Sequence, residues 1–133
     1  MLRRSSIHLP AHSRRATRNE MTFTSEIRRG IAFFKFSGRL VFEEPMFAIH
    51  PEVRELLESG VRAFIFDFSE VPHCDSSGCG ELIGIHVTIR NGDARLAFAC
   101  LTPRMRVLWE RIKLTDVFAI FDTLSEAEDF VQR

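Results

Sequence analysis

Six consecutive residues, Ala63-Phe64-Ile65-Phe66-Asp67-Phe68, form an apolar run broken only by Asp67. A strand lying on a protein surface alternates apolar with polar side chains. A short continuous run instead predicts a central strand covered on both faces, the setting of parallel sheets. The run leads through a short turn closed by Pro72 into His73-Cys74-Asp75-Ser76-Ser77-Gly78, followed by Cys79-Gly80-Glu81-Leu82-Ile83. This second half reads as the hydroxyl-rich start of a helix, and it sets two serines where the positive end of a helix dipole faces solvent.

The flanking sequence supplies the partners such a strand needs. Phe23 to Arg28 and Ile31 to Phe36 are rich in aromatic and β-branched residues and are separated by Arg29-Gly30, which predicts a β-hairpin. Ser37-Gly38 breaks the second strand. A helix is expected from about Phe47 to Glu58, with Phe47, Val53, Leu56 and Leu57 as its apolar stripe and Pro51 in its first turn. Ser59-Gly60 ends it. The helix after the central strand should run from Ser77 or Gly78 to Arg90, burying Leu82, Ile83, Ile85, His86 and Ile89. A strand over Leu96 to Leu101 and a helix opened by Thr102-Pro103 follow, the helix carrying Met105, Leu108, Trp109 and Ile112. Val117 to Phe121 reads as the last strand, and Ser125 as the cap of a final helix with Ala127, Phe130 and Val131 turned inward. The order β, β, α, β, α, β, α, β, α, with crossovers this short, implies right-handed connections between parallel neighbours. The expected fold class is therefore α/β: a single domain with a mixed, mostly parallel sheet, an N-terminal hairpin and about four helices.

With 133 residues, 45% of them hydrophobic and 27% charged, the chain suits one core. Its formal charge of zero conceals an asymmetry. Residues 1–20 carry five arginines and one acid, leaving 13 basic against 17 acidic groups in the rest. The first stretch is Arg- and Ser-rich without an apolar period, and is expected to be a disordered basic extension over residues 1–21, ahead of a domain over 22–133. Arg14-Arg15 lacks the apolar segment of a twin-arginine signal. A mildly acidic body argues against nucleic acid as a partner. No apolar run approaches the roughly 18 to 20 residues of a membrane span, so no membrane insertion is expected. Three cysteines, Cys74, Cys79 and Cys100, contain no C-x-x-C pair and are not written like a secreted disulfide framework, which suits a reducing cytoplasm.

The chemistry available to the serine pair is limited. Serine is favoured at helix N-caps, and capping alone would account for both Ser76 and Ser77. A nucleophile elbow, G-x-S-x-G, is absent because residue 74 is Cys, and no Asp and His follow in the order of a hydrolase triad. The chain has no G-x-x-x-x-G-K-[ST] phosphate loop. The spacing of His73, Cys74, Cys79 and His86 fits no zinc pattern; buried thiols and a satisfied core histidine account for them, and no metal or other cofactor is expected. Val41, Phe42, Pro45 and Met46 are less easily buried. They offer an edge of a binding surface beside Ser76 or, equally, a loop packed on its own helix.

Asp75-Ser76-Ser77-Gly78 resembles the signature of the STAS domains of bacterial anti-sigma factor antagonists. The likeness extends over nearly all of residues 22 to 133: Phe36-Ser37-Gly38-Arg39-Leu40, Thr102-Pro103-Arg104 through Leu108, Asp116-Val117-Phe118 and Ser125-Glu126-Ala127 stand where that family places similar segments. Cys79 replaces a usual leucine, and His73-Cys74 a more common aromatic-aliphatic pair. The resemblance implies a non-enzymatic, cytoplasmic partner-switching module that regulates transcription. It would bind an anti-sigma factor serine kinase when unmodified, freeing a sigma factor, and let go when phosphorylated, with a serine phosphatase reversing the switch. By position in the motif Ser76 would be the phosphoacceptor and Ser77 the second choice and cap. Asp75, Ser76, Ser77, Gly78, Val41, Phe42 and Met46 would then form the partner surface. The other reading of the same family is an unphosphorylated STAS scaffold or a subunit of a stress-sensing or transporter complex.

Overall fold

The structure, a computed structural model, describes residues 5–8, 21–41 and 44–133. Strands β2 (Thr22–Arg28) and β3 (Ile31–Ser37) pair antiparallel across the expected hairpin. Arg29 and Gly30 both adopt positive φ, 53° and 80°. That is the primed turn whose twist matches a two-residue hairpin. Beyond β3 the sheet is parallel, through β4 (Ala63–Glu70) and β5 (Arg95–Ala99) to β6 (Ala119–Phe121). A further strand, β1 (Ser5–His8), pairs antiparallel with the outer edge of β2, giving the order β1-β2-β3-β4-β5-β6.

β1 lies within the stretch for which the sequence reading expects no order. Four residues, Ser-Ser-Ile-His, carry no hydrophobic period, and what they pair with is the open row of backbone groups along β2. Residues 1–4 and 9–20 lie outside the described residues. Met21, assigned by the same reading to the extension, is buried in the main core at 1% exposure.

Two layers cover the sheet. On one side lie α2 (Ile49–Glu58), α3 (Ser76–Asn91) and α4 (Pro103–Arg111), with the single turn α1 (Glu44–Phe47) leading into α2. On the other, among the described residues, lies α5 (Leu124–Val131). The nearly continuous apolar character of β4 over residues 63–68 follows from this. Phe64, Phe66 and Phe68 enter the core under α2, α3 and α4, while Ile65 joins Ile31, Phe33, Ala97, Ala99 and α5 on the reverse. Asp67 stands on the α5 side, half-buried, and its Oδ1 accepts from the Ser69 N–H at 2.9 Å. The main core is a continuous aromatic layer: Phe34 stacks on Phe23 and Phe36, Phe66 meets Phe98 edge-on, and Trp109 closes over Phe68 and Phe98.

Several local expectations shift. Phe47 is exposed, because the chain turns between α1 and α2 and Ile49 takes its place in the stripe with Val53 and Leu56. Ile83 of α3 and Ile112 beyond α4 are also exposed; the sheet covers only the sector of α3 that holds Cys79, Leu82, Ile85 and Ile89. His86 is half-buried against the Phe118 ring, and its Nδ1 is buried without a hydrogen-bond partner, so it is not a satisfied core histidine. Leu114–Asp116 forms a 3-10 turn and β6 starts only at Ala119. The cap of α5 is Thr123, whose hydroxyl accepts from the Glu126 N–H at 3.1 Å, and not Ser125. The α4 start is as expected, with Thr102 accepting from the Met105 N–H and Pro103 at the first helical position.

Candidate functional site

At the C-terminal end of β4 the chain does not leave the sheet freely. The segment after β3 runs parallel beside it as a strap: Gly38 donates its N–H to the Glu70 carbonyl (3.0 Å) and Leu40 donates to the His73 carbonyl (2.9 Å). The Leu40 carbonyl in turn accepts from the Asp75 N–H at 3.1 Å, forming an isolated bridge between Leu40 and Cys74. Leu40 is fully buried, so the strap is anchored by its side chain as well as its backbone.

Asp75 is the N-cap of α3. Its extended backbone (φ −84°, ψ 178°) turns the carboxylate back so that Oδ1 accepts from the Gly78 N–H at 2.7 Å, and its carbonyl accepts from the Cys79 N–H. This corrects the assignment of the cap to Ser77. A carboxylate at the cap uses both the free N–H and the dipole of the first turn, which releases the serines from that duty. Ser76 and Ser77 are the first two helical residues, and both are exposed. Gly78 is buried because the strap crosses it closely: a Cβ there would collide with the Leu40 carbonyl oxygen and crowd the Cys74 sulfur.

Of the other predicted surface residues, Val41 is half-buried and sits at the end of the strap. Phe42 lies outside the described residues. Met46 is fully buried in the main core and has no side-chain surface to offer a partner. Its unbranched thioether belongs to the main core with the aromatic layer and with Ile49, Val53 and Leu56 of α2.

Two features were not read from sequence. Cys74 and Cys79 bracket the Asp75–Gly78 turn, and their sulfurs approach to 3.2 Å as free, buried thiols. The shared hydrogen bond to Cys79 pushes the Cys74 thiol far up, with burial and the charges of Cys79 and Asp75 acting in the same direction. Cys79 is lowered, chiefly by the hydrogen bond from Cys74. Burial opposes that, and the Trp109 indole N–H, which has no partner at full hydrogen-bond geometry, adds to it. The i, i+5 spacing signalled nothing, since it belongs to no known ligand or redox pattern. The second feature is a groove of about 220 Å³ between the turn and α4, where Pro72 and His73 face Arg104, Val107 and Arg111. Val107 is 53% exposed, an apolar side chain between two arginines. Among the described residues no three His, Cys, Asp or Glu side chains converge as metal ligands, and no helix is long and apolar enough to cross a membrane.

The site is thus an exposed serine pair on a strapped helix start, presented by an aromatic-cored sheet. The chain belongs to the STAS domain family, whose model matches residues 22–127. Among solved structures it is similar to an anti-sigma factor antagonist from Mycobacterium paratuberculosis, with a TM-score of 0.73 and 18% identity over 89% of this chain and 99% of that one. It is also similar to the Bacillus cell fate determinant SpoIIAA in its phosphorylated form, with a TM-score of 0.63 and 22% identity over 82% of this chain and 98% of that one. A sulfate transporter family protein from Wolinella succinogenes shares the fold at a TM-score of 0.62 and 15% identity, over 80% and 88% of the two chains. At these identities the likeness is one of fold. No curated protein matches the chain in sequence.

Proposed function

We propose that this protein is a phosphorylation-switched antagonist of an anti-sigma factor: its unmodified form binds a serine kinase that restrains a sigma factor, and phosphorylation of Ser76 releases it. The observation that carries this reading is the placement of Ser76, exposed at the first position of α3 on a corner whose backbone is held by the Leu40 strap and the Asp75 cap. A hydroxyl so placed is open to a kinase. The phosphoryl group, with about −1.5 to −2 charges, meets the positive end of the helix dipole, so the fold tolerates it and the change falls on the partner. A loss of about 1.4 kcal/mol at the interface already weakens binding tenfold. Asp75, Ser77 and Val41 complete the surface, together with the groove lined by Arg104, Val107 and Arg111, which extends it beyond the motif. The role is non-catalytic and belongs in a bacterial cytoplasm, with a phosphatase resetting the switch.

In a binding assay with the kinase and ATP, Ser76→Ala is expected to stay bound while the parent chain dissociates, and Ser76→Asp is expected to bind at least tenfold more weakly than the parent without ATP. Equal binding by all three would remove the switch from this residue. A second reading, an unmodified scaffold or transporter-complex subunit, is supported by the fold shared with the sulfate transporter family protein. Mass spectrometry of the protein from its native cells under several growth conditions separates the two: phosphate never found on Ser76 or Ser77 favours the scaffold.

A further inference from the structure

Buried cysteines usually pack as small hydrophobic residues, and nothing more is asked of them. Cys74 and Cys79 differ from that case in their mutual geometry. Their sulfurs stand 3.2 Å apart, nearer to each other than two thiols need to be for packing, and are joined by an S–H···S contact. A disulfide has its sulfurs at about 2.05 Å, so closure needs an approach of about 1 Å. The backbone around them is defined from both ends: Cys74 is bridged to Leu40, and the Cys79 N–H is bonded to the Asp75 carbonyl. Cys100, the third cysteine, follows β5 and packs in the core on the α5 side of the sheet, whereas Cys74 and Cys79 belong to the core on the opposite side.

We propose that Cys74 and Cys79 are a redox modification site, a dithiol that peroxide closes into a disulfide around Asp75-Ser76-Ser77-Gly78. The two sulfurs are inequivalent in a way that orders the steps. Cys79 lies in the first turn of α3, where the Cys74 hydrogen bond favours its thiolate over the opposing effects of burial and the Asp75 charge. Cys79 is buried at 5% exposure, but its sequence neighbours Gly80 and Ser77 are exposed. The Cys79 thiolate attacks hydrogen peroxide, an S–O bond forms as the O–O bond breaks, and hydroxide leaves, taking up the proton Cys79 had lost to become water. The Cys74 sulfur then attacks the sulfenic sulfur, giving up its proton to the departing hydroxyl as it does so. The S–S bond forms, the S–O bond breaks, and the Cys74 proton departs with the hydroxyl as a second water. Two thiols are oxidised and one peroxide is reduced to two waters. A small-molecule dithiol reverses the modification by exchange.

The product is a covalent ring enclosing the whole D-S-S-G turn, which ties the loop after β4 to the first turn of α3. That this ring alters partner binding rests on the function proposed above; that it forms does not.

The test uses the full chain with Cys100→Ser, so that Cys74 and Cys79 are the remaining thiols. After hydrogen peroxide, unfolding and alkylation, the expected product takes up no alkylating reagent, is lighter than the parent by two hydrogens, and yields on trypsin digestion a single peptide that holds both cysteines in an internal disulfide. Dithiothreitol should restore both alkylatable thiols, and the further change Cys79→Ser should abolish the product. The proposal is overturned if both thiols remain alkylatable at peroxide levels that oxidise the urea-unfolded chain, or if the oxidised product carries added oxygen in place of the cross-link. Kinase binding by the reduced and oxidised chains is read separately. A disulfide that leaves binding unchanged removes only its regulatory consequence. Failure of both forms to bind a kinase counts against the proposed function and leaves the thiol chemistry standing.

Discussion

Gly78 shows how tightly single residues are constrained at the serine corner. The Leu40 carbonyl occupies the space a Cβ would need, and that carbonyl is itself bonded to the Asp75 N–H, so it cannot move aside without opening the strap. Gly78→Ala is expected to destabilise the fold by about 1–3 kcal/mol, the usual cost of forcing atoms into a packed site. A lowered urea midpoint at unchanged slope would register it. Asp75→Ala removes the cap from the Gly78 N–H and should cost about 1 kcal/mol. Asp75→Ser should recover most of that, because a hydroxyl also caps; equal losses for the two variants would show that the carboxylate acts by charge and not by its hydrogen bond. Ser76 and Ser77, exposed and relieved of capping, tolerate substitution without a comparable change in stability.

At the scale of elements, α3 joins the corner to the rest of the molecule. Its buried sector packs on the sheet, and its flank is tied to α2 through His50, whose Nε2 lies 2.7 Å from the Thr88 hydroxyl and whose Nδ1 lies 3.4 Å from Glu81 Oε2. Further along, His86 has its Nδ1 buried without a partner beside Phe118, in a cleft that Arg90 and Arg95 also line. Burial first, and the Arg90 charge second, hold its pKa below the ordinary value of 6.5. The sign follows from which state takes up the proton. As pH falls below 6.5 the unfolded chain protonates this histidine before the folded one does, so stability is lost as pH falls from there toward the depressed folded value. His86→Leu should therefore flatten the decline in urea midpoint on the acid side of neutrality, while the parent retains it. Parallel curves for the two proteins would assign the decline to other groups.

For the whole molecule, the aromatic layer decides stability. Phe66 sits at its centre, with ring centroids 5.1 Å from Phe34, 5.0 Å from Phe36 and 5.5 Å from Phe98. Phe66→Ala should cost about 3–5 kcal/mol. That is a large share of the ~5–15 kcal/mol that holds a domain of this kind folded. A thermal melt should show a markedly lower midpoint or no cooperative transition. The same layer explains why the corner can be exposed without being loose: the strands that end beneath it are fixed by rings packed from both neighbours.

The apolar run of β4, broken only by Asp67, the Arg29-Gly30 hairpin and the alternation of strands with helices determined the α/β order, because burial on both faces and turn stereochemistry are written residue by residue. The D-S-S-G start of α3 was equally legible. What only the tertiary structure decided were matters of distance between segments remote in sequence or out of local period. The Leu40 strap over Gly78, the cap falling to Asp75 in place of Ser77, the burial of Met46, the pairing of β1 on an open edge and the contact between the Cys74 and Cys79 sulfurs all belong here. Local propensity ranks what each residue can do; which of those options is taken depends on what the folded chain brings against it.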